Sequence, residues 1–307
     1  MRVIFWGSPQ FAVPPLEELA GSRHEVAAAV CQPDRPSGRG RKLAPPPVKQ
    51  AAQKLGLPVL QPERPRGQEF LDRLAEFSAD VSVVVAYGHI LKPEVLAVPR
   101  HGSINLHASL LPAYRGAAPI QWAIARGDTT SGLTVIQMDE GMDTGPLLAR
   151  LLLPIGPQES AGELAERMSR AGGPLLVETL DRLEAGTARP QPQAEEGVSY
   201  APKIEHIQAR IDWSRKAAEV ANLIRAFDPA PGAFCRRGEG VLKFFRPQVE
   251  EGKGRPGEII ESTKESLKVA CGSGAVRVGE VQAEGKRRMT SAEYFRGQPA
   301  RAGELLD

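Results

Sequence analysis

Residues 80–88 read DVSVVVAYG, an almost continuous run of apolar and β-branched side chains. Such a run is typical of a strand in a parallel sheet whose two faces are both covered by helices. Strand-like segments recur along the first half of the chain: RVIFW (2–6), EVAAAVCQ (25–32), SINLHA (103–108) and LTVIQM (133–138). Helix-like segments lie between them, as in QEFLDRLAEF (68–77). This alternation predicts an α/β fold with a doubly wound, mostly parallel Rossmann-like sheet.

The second half of the chain has a different pattern. Residues 187–206, TARPQPQAEEGVSYAPKIEH, are rich in Pro, Gln and Glu, a composition typical of an extended linker. After a helix-like stretch at 214–227, short strands and turns such as SLKVACGSG predict a small C-terminal OB-like β-barrel. We therefore expect a first domain at 1–188, a linker at 189–206 and a second domain at 207–307.

Composition and motifs disfavour several classes of protein. The 307 residues are 41% hydrophobic and 25% charged, which is ordinary globular usage. No apolar run approaches the roughly 20 residues of a membrane span, and the chain opens on RVIFWG without a cleavable signal, so we expect a cytoplasmic protein. Cys31, Cys235 and Cys271 form no C-x-x-C pair and indicate neither a disulfide framework nor a zinc site. Only Gly7 follows the first strand, so the G-x-G-x-x-G fingerprint of a nicotinamide-dependent enzyme is absent.

The segment INLHASLLPAYRG (104–116) carries the most specific chemical pattern. Asn105 and His107 are two residues apart in a strand, so both side chains leave the same face. Asp143 lies in a glycine-containing loop after the next strand, and ligands bind outside the carboxyl ends of strands in such sheets. A carboxylate that holds an imidazole, beside an amide that donates to an oxyanion, suits acyl-type transfer through a tetrahedral adduct.

The residues alone leave a structural explanation open for each member of this set. A single histidine in a strand can be a buried polar group with satisfied hydrogen bonds. An aspartate between glycines can simply form a turn. Spacing and composition do not decide between these interpretations.

Three segments together resemble the folate-dependent formyltransferase family: VVVAYGHIL (83–91), NLHASLLPAYRGAAPIQWAI (105–124) and GMDTGPLL (141–148). Further segments are similar to the branch of that family that acts on initiator methionyl-tRNA: QPDRPSGRGRKLAPPPVK (32–49), YAPKI (200–204), ARIDWS (209–214) and RAFDPAPGAF (225–234). The resemblance implies formyl transfer from 10-formyltetrahydrofolate, a co-substrate, to the α-amino group of methionine in translation initiation. It implies no metal and no nucleotide cofactor.

The resemblance also implies residue roles. Asn105, His107 and Asp143 are the expected catalytic residues. The expected folate-binding residues form a loop and a turn: Ser109, Leu110, Leu111, Pro112, Ala86, Tyr87, Gly88, His89, Ile90 and Leu91. The expected tRNA-binding residues are basic: Arg35, Arg39, Arg41, Lys42, Lys203, Lys243, Arg246, Lys286, Arg287 and Arg288. From composition alone, the first four could belong to a solvated mobile loop, and GKRR (285–288) could be mere surface.

Two rival functions remain at this point. A formyltransferase for a small amine, such as a nucleotide sugar or a phosphoribosyl amine, would share Asn105, His107 and Asp143. It would lack the arginine-rich loop at 34–49, DRPSGRGRKLAPPPVK. A folate-gated tRNA-binding protein without catalysis would not need those three residues. We expect a monomer with initiator methionyl-tRNA and folate as its partners and no membrane contact.

The arginine-rich loop generates the first testable prediction. Arg39→Ala should weaken the use of charged initiator tRNA and leave folate binding intact, because arginine suits bidentate phosphate contact. Steady-state kinetics with each substrate varied in turn measure this effect, and the use of tRNA by the parent should depend on salt. Equal kinetics for variant and parent would contradict the assignment.

Overall fold

The computed structural model describes residues 1–37, 42–262, 267–301 and 303–307. Its strands are β1 Arg2–Gly7, β2 Glu25–Val30, β3 Arg35–Ser37, β4 Lys42–Ala44, β5 Val59–Leu60, β6 Val81–Val85, β7 Ser103–His107, β8 Thr130–Gln137, β9 Leu147–Pro154, β10 Ala233–Arg237, β11 Gly240–Glu250, β12 Ile259–Ser262, β13 Leu267–Ala270, β14 Ala275–Ala283 and β15 Met289–Thr290. Its α-helices are α1 Val13–Ala20, α2 Pro47–Lys54, α3 Gln68–Ala75, α4 Pro93–Leu96, α5 Pro119–Arg126, α6 Ala161–Glu184, α7 Ala217–Ala226 and α8 Ser291–Gly297. Short 3₁₀ helices lie at Gln10–Ala12 and His206–Ala209.

The chain separates into two compact units. The first, the catalytic unit, comprises Met1–Gly116, Gly132–Leu153 and Ala165–Tyr200. The second, the C-terminal unit, comprises Ala117–Ser131, Pro154–Leu164 and Ala201–Asp307. The division into 1–188, 189–206 and 207–307 stays a prediction, and these compact units cut the chain elsewhere. In particular, residues 189–200 cluster with the catalytic unit.

The catalytic unit is built on a seven-stranded sheet in the order β5-β2-β1-β6-β7-β8-β9. Strands β5, β2, β1, β6 and β7 are parallel, and β8 is antiparallel to β7. From β1 the chain builds outward to β2 and β5, and then returns to the other side with β6 and β7. The doubly wound, mostly parallel sheet is therefore confirmed, and its strand order reverses between β1 and β6. Ligands bind at such switch points.

The core of this unit explains why the apolar run at 80–88 forms a central strand. All five residues of β6 are buried, and so are Val3 to Trp6 of β1 beside it. The one polar side chain in β6, Ser82, accepts a hydrogen bond of 3.0 Å from the indole N–H of Trp6. Tyr87, just beyond β6, packs edge-on against Trp6 with ring centroids 5.2 Å apart. The carboxyl ends of β1 and β6 are thus held rigidly together.

The C-terminal unit carries a six-stranded antiparallel sheet in the order β10-β11-β14-β13-β12, with β15 paired to β14. The 11-residue strand β11 pairs with β10 on one side and β14 on the other, and helix α7 packs against both β11 and β14. Phe244 of β11 is fully buried and contacts Trp213 edge-on, with centroids 5.6 Å apart. The sheet is a curled half-barrel, which agrees with the OB-like class expected from the sequence.

The structure defines several local features that the sequence analysis left open. The long amphipathic stretch after residue 160 forms one helix, α6, with Pro174 inside it. The apolar run ARLLLPI contributes to strand β9, whose side chains alternate between half-buried and exposed beyond Leu148. Strands β3 and β4 pair antiparallel beside the arginine-rich loop.

Of the helices in the described ranges, none combines the length and apolar content needed to cross a membrane.

The three cysteines are all buried. Burial raises the pKa of the Cys31 and Cys271 thiols to about 11 and that of Cys235 to about 12. Because the thiolate is the reactive form, these side chains behave as small apolar residues at neutral pH.

Gly172 of helix α6 lies against Leu106 of β7. A methyl group at position 172 would lie 2.5 Å from Cδ2 of Leu106. Leu106 is buried, and in the sequence it stands between Asn105 and His107. Gly172→Ala should therefore lower the free energy of unfolding by about 1–3 kcal/mol through overpacking. Calorimetric melting measures the change.

Gly297→Ala is the matched control. It also replaces a glycine in a helix, but among the described residues no atom outside its own helix turn and chain neighbours lies within 4 Å of the added carbon. Helix propensity favours alanine by at most about 1 kcal/mol, so this variant should melt at or slightly above the parent temperature. Equal melting of the two variants would contradict the close-packing argument.

Candidate active site

Strand β7 places Asn105 and His107 at the carboxyl end of the sheet. Asn105 pairs with Val84 of β6 and Ile136 of β8, so it is flanked on both sides by buried strands. His107 is 5% exposed and Asn105 is half-buried. The Asn105 carboxamide makes no hydrogen bond to any residue within the described ranges, so both its N–H groups and its oxygen are available to a ligand.

The His107 ring is held through one of its nitrogens. Nε2 lies 2.9 Å from the carbonyl oxygen of Tyr114. Because a carbonyl can only accept, Nε2 carries the proton. Nδ1 then lies 3.6 Å from Oδ2 of Asp143, an ion-pair distance longer than a hydrogen bond. A proton added at Nδ1 would be stabilised by that carboxylate, so the ring is arranged to exchange a proton at Nδ1.

Asp143 is positioned by its own loop and by the loop after β7. Its Oδ2 accepts a 2.8 Å hydrogen bond from the N–H of Gly116, and its side chain is 18% exposed. Earlier in the same loop, Oδ1 of Asp139 accepts from the N–H of Gly141 at 3.0 Å and from the hydroxyl of Thr144 at 2.7 Å. Asp139 therefore forms the turn, while Asp143 directs its carboxylate at His107. The structure brings these predicted catalytic residues together.

Backbone strain is found in the turn after β6 and in the loops after β7 and β8. Three residues other than glycine adopt positive φ there: Ala86 at 49°, Tyr114 at 63° and Asp143 at 55°. Each such residue costs on the order of 1–3 kcal/mol and persists only where its surroundings fix it, typically at functional sites. At Tyr114 the strained conformation places the carbonyl that orients His107.

The predicted folate loop is only partly exposed. Ser109 and Leu111 are fully buried, whereas Leu110 and Pro112 are half-buried. The Thr134 hydroxyl donates to the carbonyl of Ser109 at 2.7 Å and accepts from the N–H of Leu111 at 3.1 Å. Side-chain contact with a ligand is therefore open to Leu110 and Pro112, while Ser109 and Leu111 anchor the loop to β8. Folate binding at these positions stays a prediction.

The predicted folate turn lines a cleft in the catalytic unit. Ala86, Tyr87, Gly88 and His89 form one wall of an open cleft of about 530 Å³. Burial raises the pKa of the Tyr87 phenol, whose buried hydroxyl finds no hydrogen-bond partner in the described part of the chain. Ile90 is 86% exposed, and Leu91 packs into the core instead.

The opposite wall of the cleft was not expected from the sequence. Ser8 follows β1 and Gln32 follows β2, so the cleft lies at the switch point of the sheet. The Ser8 hydroxyl and the Gln32 carboxamide both donate to the carbonyl of Tyr87, at 3.2 Å each. Their positions at or near the ends of predicted strands could have indicated this, but an isolated Ser or Gln carries no distinctive motif.

The basic residues near β3 and β4 are only partly described. Arg35 is exposed, lines the cleft and donates to the side chain of Gln32 at 3.0 Å. Arg39 and Arg41 lie outside the described residues, and for Lys42 the structure gives only the backbone of β4. Contact of these residues with tRNA stays a prediction.

The predicted tRNA-binding residues of the C-terminal unit fall into two groups, those without an ion pair and those held by other residues. Lys203, Lys286 and Arg287 are exposed and make no ion pair with the residues that the structure describes. Lys243 instead donates to the carbonyl of Pro231 at 2.6 Å. That bond uses one of the three N–H donors of the ammonium group.

Two of the predicted tRNA-binding arginines are held by carboxylates. Arg246 pairs with Glu163 at 2.8 Å, and hydrogen bonds from Ser160 and from Arg246 lower the pKa of Glu163 to about 2. Arg288 bonds both oxygens of the buried Asp228, at 2.6 and 3.0 Å. It also bonds Glu280 and lies 4.0 Å from the ring centroid of Phe245. Their charges are matched internally, so among the predicted tRNA-binding residues of this unit Lys203, Lys286 and Arg287 are better placed to meet phosphates.

One cluster could in principle hold a metal ion. His24, Asp181 and Glu184 bring ligand atoms within 4.8 Å of one another. The Arg23 guanidinium contacts both carboxylates, at 2.6 and 2.5 Å, and the Met1 amino group donates to Glu184 at 2.8 Å. The negative charge is therefore matched by protein cations. That the reaction needs no metal stays a prediction.

Comparison with known proteins identifies the family. The family model described as Formyl transferase matches residues 1–180, and the one described as Formyl transferase, C-terminal domain matches residues 203–299. The chain belongs to the formyl transferase family, and it is a formyltransferase enzyme. The resemblance to the formyltransferase family, inferred from the sequence, is therefore confirmed.

Relatives and solved structures agree with this assignment. The chain is similar to the methionyl-tRNA formyltransferase of Magnetococcus marinus, with 48% identity over 305 residues that cover 99% of this chain and 98% of the relative. The methionyl-tRNA formyltransferase of Geobacter metallireducens is 44% identical over 297 residues, which cover 97% and 96% of the two chains. HypX from Aquifex aeolicus, solved in complex with tetrahydrofolic acid, matches with a TM-score of 0.69 at 20% identity, covering all of this chain and 50% of that one. That last likeness concerns the fold.

The geometry around His107 predicts the effect of removing the Asp143 charge. Asp143→Asn keeps an oxygen that can accept from Gly116, but it cannot stabilise a protonated Nδ1 on His107. We expect formyl transfer to slow by about 100-fold or more, as for the loss of an acid–base group, with little change in melting temperature. Single-turnover rates measure the effect.

Asp139→Asn is the matched control for charge. It makes the same substitution in the same loop and keeps the acceptor for Gly141 and Thr144. Its rate should stay within a few fold of the parent. A comparable rate loss in both variants would mean that the loop conformation, and not the Asp143 carboxylate, controls the reaction.

Proposed function

We propose that this formyltransferase transfers a formyl group from 10-formyltetrahydrofolate to the α-amino group of methionine on initiator methionyl-tRNA. The observation that carries the proposal is the arrangement of His107, with Nε2–H on the Tyr114 carbonyl and Nδ1 facing Asp143, beside an unpartnered Asn105. We further propose that the enzyme works as a monomer in the cytoplasm, in translation initiation.

Two features support folate as the donor. The fold is shared with a protein whose structure was solved with tetrahydrofolic acid. The cleft between β1 and β6 has a volume of about 530 Å³, within the range of pockets that bind small molecules. Its wall at Ala86–His89 belongs to the turn predicted to contact the pterin ring.

Different features support methionyl-tRNA as the acceptor. Relatives that match nearly the full length of this chain, at 44–48% identity, carry the name methionyl-tRNA formyltransferase. Arg35 lies exposed at the cleft, and the C-terminal unit offers exposed cations at Lys203, Lys286 and Arg287. Lysine and arginine side chains of this kind neutralise phosphates and supply affinity that does not depend on base sequence.

The reaction requires little activation of the nucleophile. An α-amino group has a pKa of about 7.7–8.0 in model peptides, and esterification of the adjacent carboxyl group lowers it, so much of the amine is neutral at cellular pH. Its lone pair attacks the formyl carbon, and the carbonyl oxygen becomes an oxyanion. The C–N10 bond then breaks, N10 of the folate takes up a proton, and the new amide nitrogen loses one.

The named residues assist the two demanding steps of this reaction, which are stabilisation of the oxyanion and protonation of N10. The free N–H of the Asn105 carboxamide donates to the oxyanion. His107 transfers a proton at Nδ1, because its Nε2–H is held by Tyr114, and Asp143 stabilises the ring while it is charged. No covalent enzyme intermediate is required, since the amine attacks the formyl group directly.

The testing experiment measures formyl transfer from 10-formyltetrahydrofolate to aminoacylated initiator tRNA by mass spectrometry, with elongator methionyl-tRNA as control. Asn105→Ala should reduce the rate by about 100- to 1,000-fold, as for the loss of one oxyanion donor, with folate affinity little changed. A fully active Asn105→Ala would refute the role of that residue.

Substrate competition distinguishes the rival functions. Formylation of a nucleotide sugar or a phosphoribosyl amine, but not of initiator methionyl-tRNA, would overturn the proposed acceptor. Binding of folate and tRNA without any transfer would overturn the proposed activity altogether.

A further inference from the structure

The segment at residues 191–200, hereafter the strap, runs across the active site. Gln191 pairs with Leu147 at the start of β9 through two main-chain hydrogen bonds, of 2.7 and 2.9 Å. At the other end of the strap, the Ser199 carbonyl accepts from the N–H of Arg115 at 2.9 Å. The strap therefore bridges the loop that follows β7 and the start of β9, next to the loop that carries Asp143. The sequence had indicated an extended linker here.

Gln193 uses both ends of its carboxamide between these loops. Its Nε2 donates to the carbonyls of Asp143, at 2.7 Å, and Gly145, at 2.8 Å. Its Oε1 accepts from Nη2 and Nε of Arg115, at 2.7 and 3.2 Å. Only this orientation of the amide satisfies all four bonds, because carbonyls accept and a guanidinium donates. Gln193 is half-buried, so these bonds are partly shielded from water.

These contacts connect Gln193 to Asp143 by two routes. Gln193 holds Arg115, and the next residue, Gly116, donates its N–H to the Asp143 carboxylate at 2.8 Å. Gln193 also holds the main-chain carbonyl of Asp143 itself. The backbone and the side chain of Asp143 are thus fixed by two different routes from one carboxamide.

The strap also contacts two of the three strained residues of the site, Tyr114 and Asp143. The Ser199 hydroxyl accepts from the N–H of Tyr114, at 2.9 Å, and Tyr114 in turn orients His107. Gln193 bonds the carbonyl of Asp143. Positive φ at both Tyr114 and Asp143 therefore coincides with a strap hydrogen bond at the same residue, as expected where surrounding structure fixes a strained backbone.

We propose that Gln193 is a positioning residue for catalysis: it sets the Asp143 carboxylate against Nδ1 of His107 without touching either substrate. This inference rests on the proposed function, because it concerns the proton transfer assigned to His107. It adds to the catalytic set a residue from a segment that carries no recognisable motif.

Two substitutions at Gln193 test the inference. Gln193→Met fills a similar volume and loses all four hydrogen bonds. Gln193→Glu keeps acceptors for Arg115 but cannot donate to the two carbonyls. Both should lower kcat by about 10- to 100-fold, the size of loss expected when a reacting group is displaced by about 1 Å. KM for 10-formyltetrahydrofolate and for initiator methionyl-tRNA should stay unchanged.

Gln191→Ala is the matched control. Gln191 lies on the same strap, is exposed, and pairs with Leu147 only through its main chain. Its kcat should equal that of the parent. Melting temperatures of all variants report on folding, and if Gln193→Met proves unstable, Gln193→Glu decides the outcome.

A double-mutant cycle provides the sharper test. If Gln193 acts through Asp143, then adding Gln193→Met to Asp143→Asn should lower kcat by less than about threefold beyond Asp143→Asn alone. The inference would be overturned if the kcat losses of the two single variants multiplied in the double variant. A raised KM, or a parent-like kcat in Gln193→Glu, would also overturn it. The parent chain is assayed first. A parent that transfers no formyl group refutes the proposed function, whereas an active parent with active Gln193 variants refutes only the role of Gln193.

Discussion

Parallel pairing of β1 with β6 is the constraint on which the rest of the catalytic unit depends. Both strands are buried, so their register is fixed by apolar side chains on two faces, and their carboxyl ends stop side by side. Because the strand order reverses between them, no connection crosses this edge, and a cleft opens there. The next strand, β7, carries Asn105 and His107 to the same edge through its own parallel pairing with β6.

A buried imidazole at the end of a strand must have a hydrogen-bond partner, and this requirement shapes the loops around it. The partner is the carbonyl of Tyr114, a residue that adopts positive φ. Asp143 is held in the same way on the other side of the ring. The stability lost to backbone strain is offset by the packed sheet and by main-chain bonds, while the site gains fixed orientations for the imidazole and for the carboxylate beside it.

Part of this arrangement follows from local sequence patterns. The β-branched run at 81–85 predicts the central strand, and a spacing of two places Asn105 and His107 on one face. Side-chain chemistry predicts the grouping with Asp143, although the residues alone could not separate catalysis from a structural role. The antiparallel entry of β8 could not be predicted, because alternation of strands and helices does not specify direction.

Long-range polar contacts were the least predictable. The pairing of Arg288 with Asp228 joins residues 60 positions apart, and sequence spacing contains no trace of it. Gln193 and Ser199 lie in a segment whose Pro, Gln and Glu content is typical of linkers, because their function depends on main-chain contacts with distant loops. Composition reports solvation and flexibility on average, and it cannot report which single side chain is held.

The strap sets a limit on how the chain can vary in length. A flexible linker tolerates insertions and deletions, since loop entropy changes slowly with length. Between Gln191, paired with Leu147, and Ser199, bonded to Arg115, the main chain is anchored at both ends. A single residue gained or lost between Gln191 and Gln193 would shift Gln193 out of reach of Asp143. Length variation in this region should therefore avoid 191–193, although the whole stretch has the composition of a spacer.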